Sequence, residues 1–94
     1  NGHQQLWLAF DEDKNIDGVG TTEIADYPAK TMMAIQFLGG KNFNHWVWDM
    51  LEKFKDFGRE NGCQGIEATG RPGFWKWLGQ DDFEKSYVVY ERNL

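Results

Sequence analysis

A mixed, mostly antiparallel α/β sheet with one long crossover helix and one short helix is the fold that this sequence of 94 residues predicts. Three observations carry that expectation. Apolar runs of strand type recur along residues 5–10, 19–24, 31–38, 63–69 and 86–92, each bounded by turn-forming residues. Residues 43–59 break the rhythm and adopt the 3.6-residue period of an amphipathic helix. A glycine pair, Gly39-Gly40, stands where one rhythm gives way to the other.

The first run, Gln5-Leu6-Trp7-Leu8-Ala9-Phe10, ends in turn-rich residues 11–18, and alternation resumes at Val19. These two strands form an antiparallel hairpin. Asp26-Tyr27-Pro28-Ala29 makes the next turn. Residues 31–38 are longer and mostly apolar, the mark of a central strand buried on both faces. In the helical stretch Phe43, Val47, Met50, Leu51, Phe54 and Phe57 share one broad face, with Asp49, Glu52, Lys53 and Asp56 opposite. Asn42 or Asn44 is placed to cap its start, and Gly62 to stop it in a left-handed conformation. The next strand puts Ile66 and Ala68 on one face and Glu67 and Thr69 on the other. Pro72 suits the first turn of a short helix carrying Phe74, Trp75, Trp77 and Leu78, and residues 86–92 supply a last strand. The third and fourth strands, joined by a helix, run parallel, whereas the first three form a meander. No linker or repeat divides the chain, so residues 1–94 read as one domain. It opens Asn1-Gly2 without Met and enters a strand almost at once, as the remainder of a longer protein would.

Composition narrows the function. A hydrophobic fraction of 40% with 27% charged residues belongs to a folded chain and not to a disordered one. Five Trp and seven Phe supply large plates for a small core, or an adhesive surface. The net charge of −5 argues against a nucleic-acid or anionic-membrane partner, because phosphate backbones select basic surfaces. No apolar run is long enough to span a bilayer. Cys63 is the only cysteine, which excludes an intramolecular disulfide and suits a reducing, cytoplasmic compartment.

The stretch Gln36-Phe37-Leu38-Gly39-Gly40-Lys41 carries the most chemistry. A strand that turns through glycines into a helix start presents unpaired N–H groups and a partial positive charge to an anion. The same residues also describe a tight turn with a solvated Lys. His45, in the first helical turn, meets either a phosphate or solvent. Asp13-x-Asn15-x-Asp17-Gly18 imitates the opening of a calcium loop, but Ile24 stands where a bidentate Glu belongs. Cys63, His3 and His45 lack a zinc spacing, so no metal is expected. Cys63 reads as a small buried thiol.

The element order and the residues around both helices resemble the GNAT fold of the Gcn5-related N-acetyltransferases, most closely the small acetyltransferase-like proteins encoded by tailed bacteriophages. In that family a Gln/Arg-x-x-Gly-x-Gly/Ala loop opens the long helix and wraps the pyrophosphate of acetyl-CoA. Gln36, Gly39 and Lys41 occupy its three defined positions, and Lys41 departs from the small residue expected at the third. The resemblance therefore implies acetyl-CoA or another acyl-CoA as cofactor, held by Gln36, Phe37, Leu38, Gly39, Gly40 and Lys41. It also implies an unidentified amine acceptor, and strands 31–38 and 65–69 splayed around the pantetheine arm. Trp75 stands where many members carry a Tyr that protonates the departing thiolate, and an indole N–H is not a usable acid. Tyr87 and Tyr90 are the alternative acids. Glu67 is the carboxylate best placed near the splay to act as catalytic base, with Glu23 a weaker candidate. The family's first strand and first two helices have no counterpart here, and one strand instead of a pair follows the short helix. These departures leave a second reading open: a non-enzymatic GNAT-like phage structural, internal virion or host-interaction protein. It would reside in the host cytoplasm or the virion and contact a phage protein or itself; among Arg71, Lys76, Arg92 and the quartet Trp46, Trp48, Trp75 and Trp77, the expectation is that Trp48 and Trp75 are partly exposed and suit such an interface.

Overall fold

The computed structural model describes residues 4–69, 84–86 and 89–94. The elements are β1 (Gln4–Phe10), β2 (Ile16–Asp26), β3 (Thr31–Gly40), α1 (Phe43–Glu60), β4 (Gly65–Thr69), β5 (Glu84–Ser86) and β6 (Val89–Asn93). The strands form one sheet in the order β1-β2-β3-β4-β6-β5. Every neighbouring pair is antiparallel except β3 with β4, which α1 connects in parallel. This is the mixed sheet and crossover helix that the periodicities imply. The short helix expected over residues 72–78 lies outside the described residues.

β1 and β2 pair from Gln4↔Glu23 to Phe10↔Ile16, so β2 begins three residues before Val19. The hairpin turn is shorter than the polar composition of residues 11–18 suggests, because Asp11 closes it alone. Its N–H donates to Asn15 O at 2.9 Å, and its carboxylate accepts the Asn15 N–H at 2.9 Å. Lys14 takes the positive φ of 67° that the tight closure demands.

Two expectations about strands need correction. The glycine pair does not leave the sheet after Leu38: Gly39 and Gly40 continue β3, opposite Val19 and Gly18. The final strand is also not single. Residues 84–86 and 89–93 form two antiparallel strands, with β6 beside β4 and β5 outermost. Continuous apolar and aromatic character across residues 87–90 hides the break between them.

α1 covers one face of the sheet. Phe54, Met33, Ile35, Leu38, Leu51, Ile66 and Val47 are fully buried between them. Trp7 seals the β1 end of this core with edge-on contacts to Phe54 and Phe57 at 5.1 and 5.4 Å. Its indole N–H donates to the buried Thr22 hydroxyl at 2.9 Å, which donates onward to Gln5 Oε1 at 2.8 Å. The helix ends as the sequence suggests. Gly62 adopts φ 75°, its N–H meets Arg59 O at 3.2 Å, and the Cys63 N–H returns to Gly58 O at 2.8 Å. That pair of bonds satisfies carbonyls the last turn would otherwise leave open.

Candidate functional site

The site begins where β3 and β4 part. Their parallel register runs only from Met32↔Gly65 to Ile35↔Ala68, whereas β3 remains paired to β2 as far as Gly40. Among the described residues, then, no strand is registered against residues 36–40 on the β4 side. A bulge lies at the same place. Thr21 opposes Phe37 and Thr22 opposes Ile35, which leaves Gln36 as the extra residue. Such a bulge re-aims side chains and ends regular pairing. Leu38 stays in the core, while Gln36 and Phe37 are exposed.

The junction with α1 is held from the β2 side. Lys41 N–H donates to Asp17 O at 2.7 Å, and Lys41 O accepts the Trp46 indole N–H at 2.7 Å. Trp46 lies across Gly18, where an added Cβ would sit 2.2 Å from the ring. Gly40 has φ 142°, and a Cβ there would meet Asp17 O at 2.1 Å. Both close approaches demand glycine. Asn42 occupies the N-cap in a left-handed conformation but makes no capping bond; its amide lies 3.4 Å from the Asp17 carboxylate. His45 N–H donates to Asn42 O at 2.8 Å, the bond that closes the first turn. The amides that precede it belong to the first turn, whose N–H groups point out of the helix end.

Charge at this helix end is uneven. Towards the β1–β2 turn a cavity of about 500 Å³ is lined by Asp11, Glu12, Asp13 and Asp17 together with Asn42 and His45. An anion is repelled there. No acidic residue sits in the first turn of α1 itself, and Lys41 is exposed beside it. Among the described residues no group of three or more His, Cys, Asp or Glu is arranged to hold a metal.

Glu67 lies one register position before the strands part, opposite Ala34 of β3. Its neighbours Ile66 and Ala68 face α1, so its side chain projects from the other face of the sheet. There it is 8% exposed, and Oε2 accepts the Tyr27 hydroxyl at 2.6 Å. Glu23, which also opposes Ala34, accepts the Gln36 amide at 2.9 Å. The two candidate carboxylates thus flank Ala34 in one row across the sheet. Tyr27 carried no signal in the sequence beyond its place in a turn.

Arg71, Trp75, Lys76, Trp77 and Tyr87 lie outside the described residues, and Tyr90 is placed only by its backbone register with Ala68. Of the tryptophan quartet, Trp46 is buried in the core and Trp48 is half-buried against it. Cys63 is buried, which pushes its thiol pKa up.

No protein-family model and no curated protein matches the sequence. Solved structures do match. An acetyltransferase from Bacillus cereus superposes with a TM-score of 0.75 at 16% identity, over 97% of this chain and 73% of that one. A GNAT-family acetyltransferase from Staphylococcus aureus gives 0.75 at 19%, over 97% of this chain and 68% of that one. An aminoglycoside acetyltransferase from an uncultured soil sample, solved in complex with sisomicin, gives 0.69 at 15%, over 94% and 64%. At such identities the likeness is one of architecture: the chain has the GNAT fold.

Proposed function

We propose that this chain is an acyl-CoA-dependent N-acetyltransferase. The observation that carries the reading is the parting of β3 from β4 after Ile35 and Ala68, directly before a glycine-bearing helix start, within a GNAT fold. Acetyl-CoA would supply an activated acetyl thioester. Gln36, Phe37, Leu38, Gly39, Gly40 and Lys41 line its path. The edge of residues 36–38 offers backbone hydrogen bonds to the pantetheine arm. Gly39 and Gly40 let the pyrophosphate approach the backbone, and the first amides of α1 with the Lys41 ammonium face its charge. Lys41 thus serves as a positive group where a small residue is usual. Backbone N–H groups at the bulge are available to polarise the thioester carbonyl.

Glu67 accepts a proton from the acceptor ammonium. The freed nitrogen bonds to the acetyl carbon and the carbon–sulfur bond breaks. CoA leaves as its thiol, and one proton passes to solvent. The acceptor is a primary amine entering from the face that carries Glu67 and Glu23.

Calorimetric titration with acetyl-CoA tests the cofactor site, with CoA and ADP as comparisons. Lys41→Glu is the suitable variant, because Lys41 is exposed whereas any side chain at Gly40 collides with Asp17. Reversing one charge at the helix start is worth about 1–2 kcal/mol, so affinity should fall roughly 5- to 30-fold. Unchanged affinity would remove the pyrophosphate from this junction. A panel of lysine peptide, cadaverine and an aminoglycoside, read by release of CoA thiol, tests turnover.

One observation favours a second reading, a GNAT-like protein that acts by contact, including with a phage virion partner. Leu6, Leu8 and Phe10 of edge strand β1 are exposed, as is Phe37. A specific complex without acetyl-CoA binding would decide for it.

A further inference from the structure

We propose that Tyr27 is a positioning residue that fixes the Glu67 carboxylate for the acceptor ammonium, an inference that rests on the acetyltransferase reading above. Forty positions separate the two residues, and the fold joins them through the β2–β3 turn. Tyr27 N–H donates to Lys30 O at 2.7 Å, and Lys30 N–H returns to Tyr27 O at 3.3 Å. Behind this turn the Thr31 hydroxyl donates to Asp26 Oδ1 at 3.0 Å. Gln64, just before β4, holds Thr31 from both sides: its Oε1 accepts the Thr31 N–H at 2.6 Å and its own N–H reaches Thr31 O at 2.8 Å. The turn is therefore tied to the strand that carries Glu67, and the phenol arrives at Oε2 with a 2.6 Å hydrogen bond.

The carboxylate it meets is nine-tenths buried. One oxygen is satisfied by Tyr27, and Oε1 has no partner among the described residues. A buried carboxylate with one oxygen fixed and the other open is matched by a cationic donor, which a primary ammonium supplies. A Glu side chain loses several rotatable bonds' freedom on being held, and the phenol imposes that order before the amine arrives. Tyr27 itself is 45% exposed, so this face of the sheet is open to solvent beside the carboxylate.

The test is a double-mutant cycle on the full chain: wild type, Tyr27→Phe, Glu67→Gln and both together. The probe is the fastest-reacting amine of the panel or, where none reacts, hydrolysis of acetyl-CoA by water. Tyr27→Phe should lower kcat about tenfold, the effect of one hydrogen bond to a charged group. Acetyl-CoA affinity should stay within about twofold, since the phenol lies away from the pyrophosphate path. In the Glu67→Gln background the second change should add no further loss. Should Tyr27→Phe fail to fold, Gln64→Ala, which frees the turn while keeping both partners, must lower kcat in the same direction. Full activity in the folded Tyr27 variant, or losses that multiply in the double variant, overturns the inference and leaves the acetyltransferase reading standing. A wild-type chain that neither binds nor turns over acetyl-CoA overturns both.

Discussion

Thr22 shows how much one side chain settles in this molecule. It is fully buried, yet its hydroxyl both accepts from Trp7 and donates to Gln5, so the indole N–H and the glutamine carbonyl are satisfied beneath the sheet. Thr22→Val keeps the shape and removes both bonds. Leaving the Trp7 donor unpaired should cost about 1–3 kcal/mol, read as a lower midpoint in urea with an unchanged slope. An unchanged midpoint would mean that water replaces the hydroxyl. The same scale separates what sequence showed of the site from what it hid. Strand alternation put Glu67 on the face away from Ile66 and Ala68, and it is there. Its burial and its Tyr27 partner were not legible, because alternation assigns a face but not what folds over it. Trp46 was hidden for a related reason. It falls on the edge of the helical stripe, and only the absence of a side chain at Gly18 makes room for its ring.

Among the elements, α1 is the one that sequence described best, since caps and period are local. Its bounds, Phe43–Glu60, extend the expected stretch by one residue, and Gly62 takes the left-handed stop. Nothing lies within 4 Å of where a Cβ at Gly62 would be, so Gly62→Ala tests backbone strain alone. It should cost about 1 kcal/mol, a fall in Tm of roughly 4–8 °C. A smaller change would show that the helix end relaxes. The strands were harder. Gly39-Gly40 looks like a turn by composition, but Val19 and Gly18 on β2 supply partners that hold it extended. At the other end, apolar residues concealed the division of β5 from β6, since a hairpin inside a continuous apolar run leaves no break in periodicity.

At the scale of the whole molecule the two sheet edges are treated differently. β5 is three residues long among the described residues, and a short edge offers little to strand addition. β1 is seven residues long, without charge or proline, and exposes Leu6, Leu8 and Phe10. An edge of that kind associates. Sedimentation of this chain should show concentration-dependent self-association, and Leu6→Lys should shift it towards monomer with little effect on the core, since Leu6 is 66% exposed. Association unaffected by that change would put the contact elsewhere.

The sequence by itself determined the first three strands and their order, α1 with its buried face, and the parallel step between β3 and β4, because each depends on residues a few positions apart. Only the tertiary structure decided that the glycines extend β3, that Trp46 lies on Gly18, that an acidic turn borders the helix start and that Tyr27 meets Glu67. Those meetings depend on register between strands distant in the chain. Register is fixed by the bulge at Gln36 and by the packing of α1, and no local pattern of residues encodes either.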